Sequence, residues 1–118
     1  MNGKIYEASY SDVSVASPTH PCVFKTLEAL ADQGELPEGM LYALDANGKL
    51  IPYDRAGIAP ANVLKGVLAK AIDTAEDDAA LGIIHGTVNT EKLCYGIAGD
   101  PVIDSDLESL EAIMIYPQ

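Results

Sequence analysis

The sequence predicts a compact, mainly β single domain of the α+β type, with short helices and an extended N-terminal arm. Three observations predict it. The chain has 118 residues, the usual size of one domain. Hydrophobic residues make up 48% of it and charged residues 21%, so it can bury a core. Its apolar runs are short and are separated by Gly, Pro and Asn-Gly, which is typical of strands joined by turns.

The distribution of charge predicts where the arm ends. The formal net charge of the chain is -11. Residues 1–25 contain two basic and two acidic side chains and are neutral, so residues 26–118 carry the whole net charge. We therefore divide the chain into an arm, residues 1–25, and a β-rich domain, residues 26–118.

The arm carries a strand pattern. Tyr6, Ala8 and Tyr10 alternate with polar neighbours, and Val13 and Val15 continue the alternation on the opposite parity. Prolines on either side of a histidine then end regular structure. Two interpretations remain open: a terminal edge strand followed by a linker, or an arm that pairs with the sheet edge of a partner.

The next segment predicts a helix and a hairpin. Apolar residues in 24–32 fall at helical spacing, and Gly34 can end a short helix there. Residues 40–44 and 50–53 are apolar runs on either side of Asn47-Gly48, the strongest short hairpin signal. Pro52 cannot donate to a ladder, so the returning strand is an edge strand or ends there. Residues 55–62, with a glycine and a proline, are predicted to form a loop.

The remaining elements follow in order. Residues 65–72 are predicted to form a strand, 73–78 an acidic turn, and 81–88 a strand in which Gly82 and Gly86 indicate a bulge. Residues 90–93 are predicted to form a turn or short helix, and 96–101 a loop. Ser105 and Glu108 have capping-box spacing, which predicts a helix over 106–112 with inward leucines, and residues 113–116 then form a last strand.

The residues offer little catalytic or ligand chemistry. No phosphate-binding glycine motif and no nucleophile elbow is present. His20 and His85 are isolated, and Cys22 and Cys94 lack metal spacing, so we expect the cysteines to be largely buried thiols. The segment from Asp45 has its glycine at the wrong place for a calcium loop. We expect no catalytic residue, no metal site and no cofactor.

Charge and hydropathy also bear on partners. Seven basic residues are scattered among eighteen acidic ones, so we expect no nucleic-acid partner. No apolar run approaches the roughly 20 residues that span a bilayer, and the N-terminus lacks the apolar region of a signal peptide. We therefore expect no membrane association and synthesis in a cytoplasm.

The order of several short motifs resembles a known family. Three motifs follow one another in the chain: residues 39–54 (GMLYALDANGKLIPYD), 66–69 (GVLA) and 80–89 (ALGIIHGTVN). The acidic turn precedes the third motif, and a terminal helix and strand follow it. Together they resemble the lambda-type bacteriophage head decoration proteins, the head decoration protein D family. The resemblance covers residues 35–118.

The resemblance implies a β-clip-like fold and a non-enzymatic role in the virion. It implies a homotrimer that binds the major capsid protein at threefold or quasi-threefold sites on the outer surface of the expanded head and stabilises it. It also implies that the arm orders against the capsid. If the arm binds by strand addition, its anchors would be Tyr6, Tyr10, Val13 and Val15. Neither the motifs nor the resemblance assigns the residues of the trimer interface.

Three alternatives stay open from sequence. The chain could be a small cytoplasmic ligand-binding or regulatory β domain, with a concave apolar pocket. It could be an acidic metal-assisted enzyme that uses the carboxylates of residues 73–78. It could also be another phage accessory structural protein, such as a head fibre base or a tail accessory protein.

Overall fold

A computed structural model of the chain describes Val15 and Cys22–Gln118. The described residues form eight strands, one α-helix and one 3-10 helix. The strands are β1 (Val23–Glu28), β2 (Glu35–Leu36), β3 (Leu41–Leu44), β4 (Leu50–Pro52), β5 (Gly66–Leu68), β6 (Ile72–Asp73), β7 (Ala79–Val88) and β8 (Ile115–Pro117). The 3-10 helix is Thr90–Lys92, and the α-helix, α1, is Asp104–Ala112. The prediction of a mainly β single domain with short helices is confirmed.

One sheet organises the domain. Its strand order is β1-β7-β5-β3-β4, all neighbours are antiparallel, and β8 pairs in parallel with the end of β7. Strands β2 and β6 form a separate two-stranded sheet. Just after β1, Ala29 bridges Leu50 of β4, and the Leu30 N–H donates to the Leu50 carbonyl at 3.1 Å. This bridge brings the two ends of the sheet together.

The central strands pack on both faces. Leu41, Ala43 and Val67 belong to a core cluster that also receives Leu110 of α1 and Ile115 of β8. The residues that alternate with them, Met40, Tyr42 and Leu68, face the other side of the sheet and belong to a second cluster. The other buried members of that cluster are Ala29, Leu36, Leu50 and Ala80. Because both faces are covered, β3 and β5 are continuous apolar runs.

The ring of Tyr42 explains two glycines in the sheet. A Cβ added at Gly82 would lie 2.5 Å from the Tyr42 hydroxyl oxygen. One at Gly66 would lie 2.6 Å from that oxygen and closer still to the Ile83 carbonyl oxygen. Tyr42 is 1% exposed, and burial raises the pKa of its phenol above the ordinary value. The glycines therefore provide the space in which a buried tyrosine crosses the sheet.

The predicted helix over residues 24–32 is wrong, because most of this segment is strand β1. Phe24 packs against the first cluster and Leu27 against the second. Because both faces of this strand contact a core, its apolar and polar residues do not alternate strictly. Its apolar residues therefore fall at the spacing of a helix. Strand β1 also runs across position 25, where the charge pattern predicts the end of the arm.

The hairpin prediction is confirmed, with one difference in the turn. Strands β3 and β4 pair across Asp45 to Gly48, and the Asp45 carboxylate accepts from the N–H groups of Asn47 and Lys49. Only Gly48 of the turn residues has a positive φ, +80°. The asparagine therefore keeps an ordinary conformation, and glycine alone meets the requirement for positive φ.

The elements after the hairpin are of the predicted type, but their bounds differ from the predicted ones. The strand predicted for 65–72 is two strands, since β5 ends at Leu68 and β6 pairs with β2. The strand at 81–88 and its bulge are confirmed by β7 and by the register shift between Val23 and Phe24. None of the helices in the described residues is long and apolar enough to cross a membrane.

Candidate interaction surface

The loop that joins β4 to β5 contains an uncharged stretch that exposes apolar side chains. Residues 56–64 (AGIAPANVL) contain no charged residue, although the chain carries a net charge of -11. Ile58 is 83% exposed, the largest exposure among the large apolar side chains described, and Val63 is 43% exposed. The loop therefore presents an apolar protrusion on a strongly acidic chain.

Hydrogen bonds within this loop give it a defined shape. The Asp54 carboxylate accepts from the Ala56 N–H at 3.1 Å, and the Asp54 carbonyl accepts from the Gly57 N–H at 3.1 Å. The Asp54 N–H donates to the Ala61 carbonyl at 2.9 Å, and the Asn62 N–H donates to the Ile58 carbonyl at 3.2 Å. Backbone bonds on both sides of Ile58 thus hold the protrusion in one conformation.

A second uncharged segment lies beside the first. Residues 93–99 (LCYGIAG) follow the 3-10 helix, and Ile97 is 48% exposed. Tyr95 and Asp100 close the turn by exchanging backbone hydrogen bonds of 2.7 and 2.9 Å. Gly96 and Gly99 have φ values of +75° and +73°, and no atom lies within 4 Å of a Cβ added at either, so backbone conformation and not space selects glycine there.

A shallow depression separates the two loops. It has a volume of about 490 Å³, and its lining residues are Ile51, Pro52, Tyr53, Asp54, Ala61, Tyr95, Gly96 and Ile97. Ile97 also borders a second depression of about 640 Å³ beside Pro37 and Ile72. We call residues 56–64 and 95–99, together with Ile51 and Pro52, the two-loop surface.

A polar network fixes the bases of both loops to α1. The Arg55 guanidinium donates two hydrogen bonds to the Asp106 carboxylate, at 3.0 Å from Nε and 2.5 Å from Nη2. Its Cζ lies 3.6 Å from the centre of the Tyr95 ring, in a cation–π contact. The Tyr95 hydroxyl donates to the Asp54 carboxylate at 3.2 Å and accepts from the Arg55 N–H at 3.1 Å. The network joins the first loop, the second loop and α1.

Asp106 is the buried member of this network. Its side chain is 0% exposed, whereas that of Arg55 is 28% exposed. Burial raises the pKa of Asp106, but the Arg55 hydrogen bonds, the Ile103 N–H and the Arg55 charge together outweigh it and hold the pKa below the usual value. The carboxylate is therefore ionised at neutral pH and bound on both sides.

The same carboxylate changes where α1 begins. The Ile103 N–H donates to Asp106 at 3.0 Å, so the helix starts at Asp104, two residues before the predicted start. The predicted capping box of Ser105 and Glu108 is wrong, because Asp106 provides the N-terminal hydrogen bond instead. The inward positions are confirmed for Leu110, which is fully buried, and for Leu107, which packs against the first cluster.

Of the four predicted arm anchors, only Val15 is among the described residues. Tyr6, Tyr10 and Val13 lie outside the described residues. Val15 is described: its side chain is 0% exposed within the first core cluster, and its carbonyl accepts from the Asn89 N–H at 2.7 Å. Its side chain therefore packs against the chain's own core and is not presented to a partner in this structure.

The titratable residues considered in the sequence do not converge. His85 is exposed on β7 opposite Val23, and both cysteines are half-buried. Burial raises the pKa of the Cys94 thiol, which disfavours the reactive thiolate. Within Val15 and Cys22–Gln118, no group of three or more His, Cys, Asp or Glu side chains is arranged to hold a metal ion.

The acidic turn is organised by its own backbone. The Asp73 carboxylate accepts from the Ala75 N–H at 3.0 Å, and the Asp77 carboxylate accepts from the Ala79 N–H at 3.0 Å. These bonds direct the two carboxylates toward the chain. They are the local hydrogen bonds by which aspartate stabilises turns.

The sequence predicts residues 55–62 only as a loop and does not predict the two-loop surface. The available signal was the absence of charge in 56–64 and 93–99, within a chain that has 21% charged residues. The ion pair of Arg55 with Asp106 links residues 51 positions apart and leaves no local sequence pattern.

Comparison of the sequence with protein-family models and with curated proteins found no match to either.

Proposed function

We propose that this chain is a virion structural protein that decorates and stabilises the expanded head of a bacteriophage. It acts as a homotrimer bound to the major capsid protein at threefold or quasi-threefold sites on the outer surface. In this proposal the chain is not an enzyme and uses no cofactor. The identity of the partner rests on the family resemblance of residues 35–118.

The two-loop surface is the observation that carries a binding role. Ile58, Val63 and Ile97 are exposed on it, and the hydrogen bonds of both loops hold them in one arrangement. Contiguous exposed apolar surface of this kind marks sites of protein interaction. A preformed surface also loses little conformational entropy on binding, so more of the contact energy appears as affinity.

The proposed mechanism needs no chemical step. A protein that binds only the expanded shell stabilises that shell by mass action, by about 2.7 kcal/mol for each site at a hundredfold excess over Kd. Three arms on one trimer make the second and third contacts intramolecular, so weak individual contacts give high avidity when the spacing fits. The stabilisation of the shell would therefore depend on the spacing of the binding sites and on the number of bound copies.

The arm is the proposed contact with the capsid, through strand addition at Tyr6, Tyr10 and Val13. The arm as a whole is neutral and its pattern alternates, so it can pair with a sheet edge without bringing the net charge of the domain into the contact. Because Val15 packs in the core, we place the end of the capsid-binding segment before it. Deletion of residues 2–13 therefore removes the proposed anchors and keeps the core residue.

Cosedimentation with expanded, undecorated capsids tests the proposal. We expect the full chain to pellet with these capsids, and the chain lacking residues 2–13 to stay in the supernatant with its oligomeric state unchanged. A variant with serine at Tyr6, Tyr10 and Val13 is the matched control for length and should also fail to pellet. The proposal is rejected if the full chain does not bind, and the role of the arm is rejected if the deletion variant binds as well as the full chain.

A further inference from the structure

We infer that the two-loop surface is the contact between copies of this chain, with the protrusion at Ile58 of one copy seated in the depression between Tyr53 and Ile97 of the next. The inference deepens the proposed function, from which it takes the trimer. It assigns the trimer interface to described residues, which neither the sequence motifs nor the family resemblance does.

Charge is the first argument, because any second copy carries the same net charge of -11. Two such copies repel wherever acidic faces approach within about 8 Å, the Debye length at physiological ionic strength. Residues 56–64 and 95–99 contain no charged side chain, so copies that meet at this surface bring few acidic groups together. Asp54 borders the depression, and its carboxylate already accepts from the Tyr95 hydroxyl and the Ala56 N–H.

Shape is the second argument. A ring with threefold symmetry is built from a heterologous contact, in which two different patches of the same chain meet. The two-loop surface contains both kinds of patch: a convex one at Ile58, which is 83% exposed, and a concave one of about 490 Å³ between the loops. Repetition of the same contact from copy to copy closes a ring when each step rotates by one third of a turn.

Rigidity is the third argument, and it links the two patches. Arg55 and Tyr95 stand at the bases of the two loops and contact each other through the cation–π pair. The edge-on packing of the Tyr53 and Tyr95 rings, with centres 6.1 Å apart, forms the floor of the depression. Protrusion and depression are therefore held at a fixed distance, which a contact that must close a ring requires.

The chemistry of the surface favours a second copy over a partner of opposite charge. A basic partner would gain most from the acidic faces of the domain, because residues 56–64 and 95–99 carry no charge and only the Asp54 carboxylate at the depression would attract it. A partner with the same negative charge needs an uncharged surface in order to approach. This chain is the partner whose charge is known, and it meets that condition.

The test compares two glutamate variants of the full chain by sedimentation equilibrium and light scattering. Ile58→Glu places a negative charge at the centre of the proposed contact. Met114→Glu makes the same change at a residue that is 56% exposed and lies outside the two-loop surface. We expect Ile58→Glu to raise the dissociation constant of the trimer at least about tenfold, as loss of a central contact residue does, and Met114→Glu to leave it unchanged. Far-ultraviolet circular dichroism should show both variants folded.

Salt provides a second measurement on the unchanged protein. Raising the NaCl concentration from 0.05 to 0.5 M screens the repulsion between acidic copies and leaves an apolar contact intact. We therefore expect the trimer to associate more tightly at the higher concentration. Weaker association at high salt would mean that ion pairs hold the copies together and would overturn the inference.

Each remaining outcome separates the inference from the proposed function. If the wild type is trimeric and Ile58→Glu stays trimeric, or if Met114→Glu dissociates equally, the inference fails while capsid binding still stands or falls by cosedimentation. If Ile58→Glu stays trimeric but no longer binds capsids, the surface belongs to the capsid contact and the inference fails. A wild type that remains monomeric on and off the capsid overturns both the inference and the proposed trimer.

Discussion

Replacing Arg55 by methionine should destabilise the fold by about 3 kcal/mol, because it leaves a buried carboxylate without its cation. The structure sets this magnitude. The Asp106 side chain is 0% exposed and would keep only the Ile103 N–H, having lost two hydrogen bonds of 3.0 and 2.5 Å. Breaking a buried ion pair costs roughly 3 to 5 kcal/mol. Arg55 is 28% exposed, so water can reach the vacated position, and the lower end of that range applies.

The pair is asymmetric, and the asymmetry can be measured. In Asp106→Asn the unpaired group is Arg55, which can turn toward solvent, whereas in Arg55→Met it is the enclosed carboxylate. We therefore expect Arg55→Met to cost more free energy of unfolding than Asp106→Asn. Glu28→Gln, which breaks the exposed Lys49–Glu28 pair at 3.3 Å, is the matched control and should cost less than about 1 kcal/mol.

The assay is urea unfolding at pH 7, followed by circular dichroism at one fixed protein concentration, since association adds to apparent stability. The pH dependence gives an independent check. In the wild type the lowered pKa of Asp106 contributes stability above the unfolded pKa of about 3.9, and this contribution is lost as pH falls through the folded pKa.

In Arg55→Met the largest remaining influence on Asp106 is burial, which raises its pKa, so the penalty is present at pH 7 and is relieved by protonation as pH falls. The difference in stability between wild type and variant should therefore shrink on acidification. A difference below about 1 kcal/mol at pH 7, or one that grows toward pH 4, would refute the reasoning.

Two further predictions follow from the sheet and the acidic turn. Gly82→Ala should destabilise the fold by about 1 to 3 kcal/mol, because its Cβ would lie 2.5 Å from the Tyr42 hydroxyl oxygen and 3.1 Å from a Leu27 methyl carbon. A Gly82→Ala melting curve that matches wild type would contradict the packing described for Tyr42. Calcium or magnesium at millimolar concentration should leave the melting temperature unchanged, since Asp73 and Asp77 bond their own turn. A calcium-dependent increase in a thermal-shift assay would favour the alternative of an acidic metal-assisted enzyme.

Local signals predicted the elements whose cause is local. Asn47-Gly48 predicts the β3–β4 hairpin because the residues from Asp45 to Gly48 themselves determine that turn. The apolar run of residues 81–88 predicts a strand, and Gly82 and Gly86 indicate its irregularity. In both cases the physical reason lies within a few residues of the element.

The wrong predictions concern elements that depend wholly or partly on contacts between residues distant in sequence. Phe24 and Leu27 resemble a helix until β7 supplies the ladder and two different cores cover the two faces of the strand. The start of α1 depends on Asp106, whose second partner is Arg55, 51 residues away. The two-loop surface depends on the same pairing. A single sequence carries no periodic signal for contacts of this kind.

The buried ion pair connects stability to binding. An apolar pair of similar volume could fill the same space at least as favourably, so the pair is not explained by stability alone. Its distinctive property is directional: the guanidinium meets the Asp106 carboxylate edge-on and the Tyr95 ring face-on, and this fixes the bases of both loops at once. If the two-loop surface joins copies of the chain, Arg55→Met should weaken association even where the domain remains folded, because its loops would have to be ordered on binding. A variant that lost stability and kept the wild-type dissociation constant would separate the two roles and confine the network to folding.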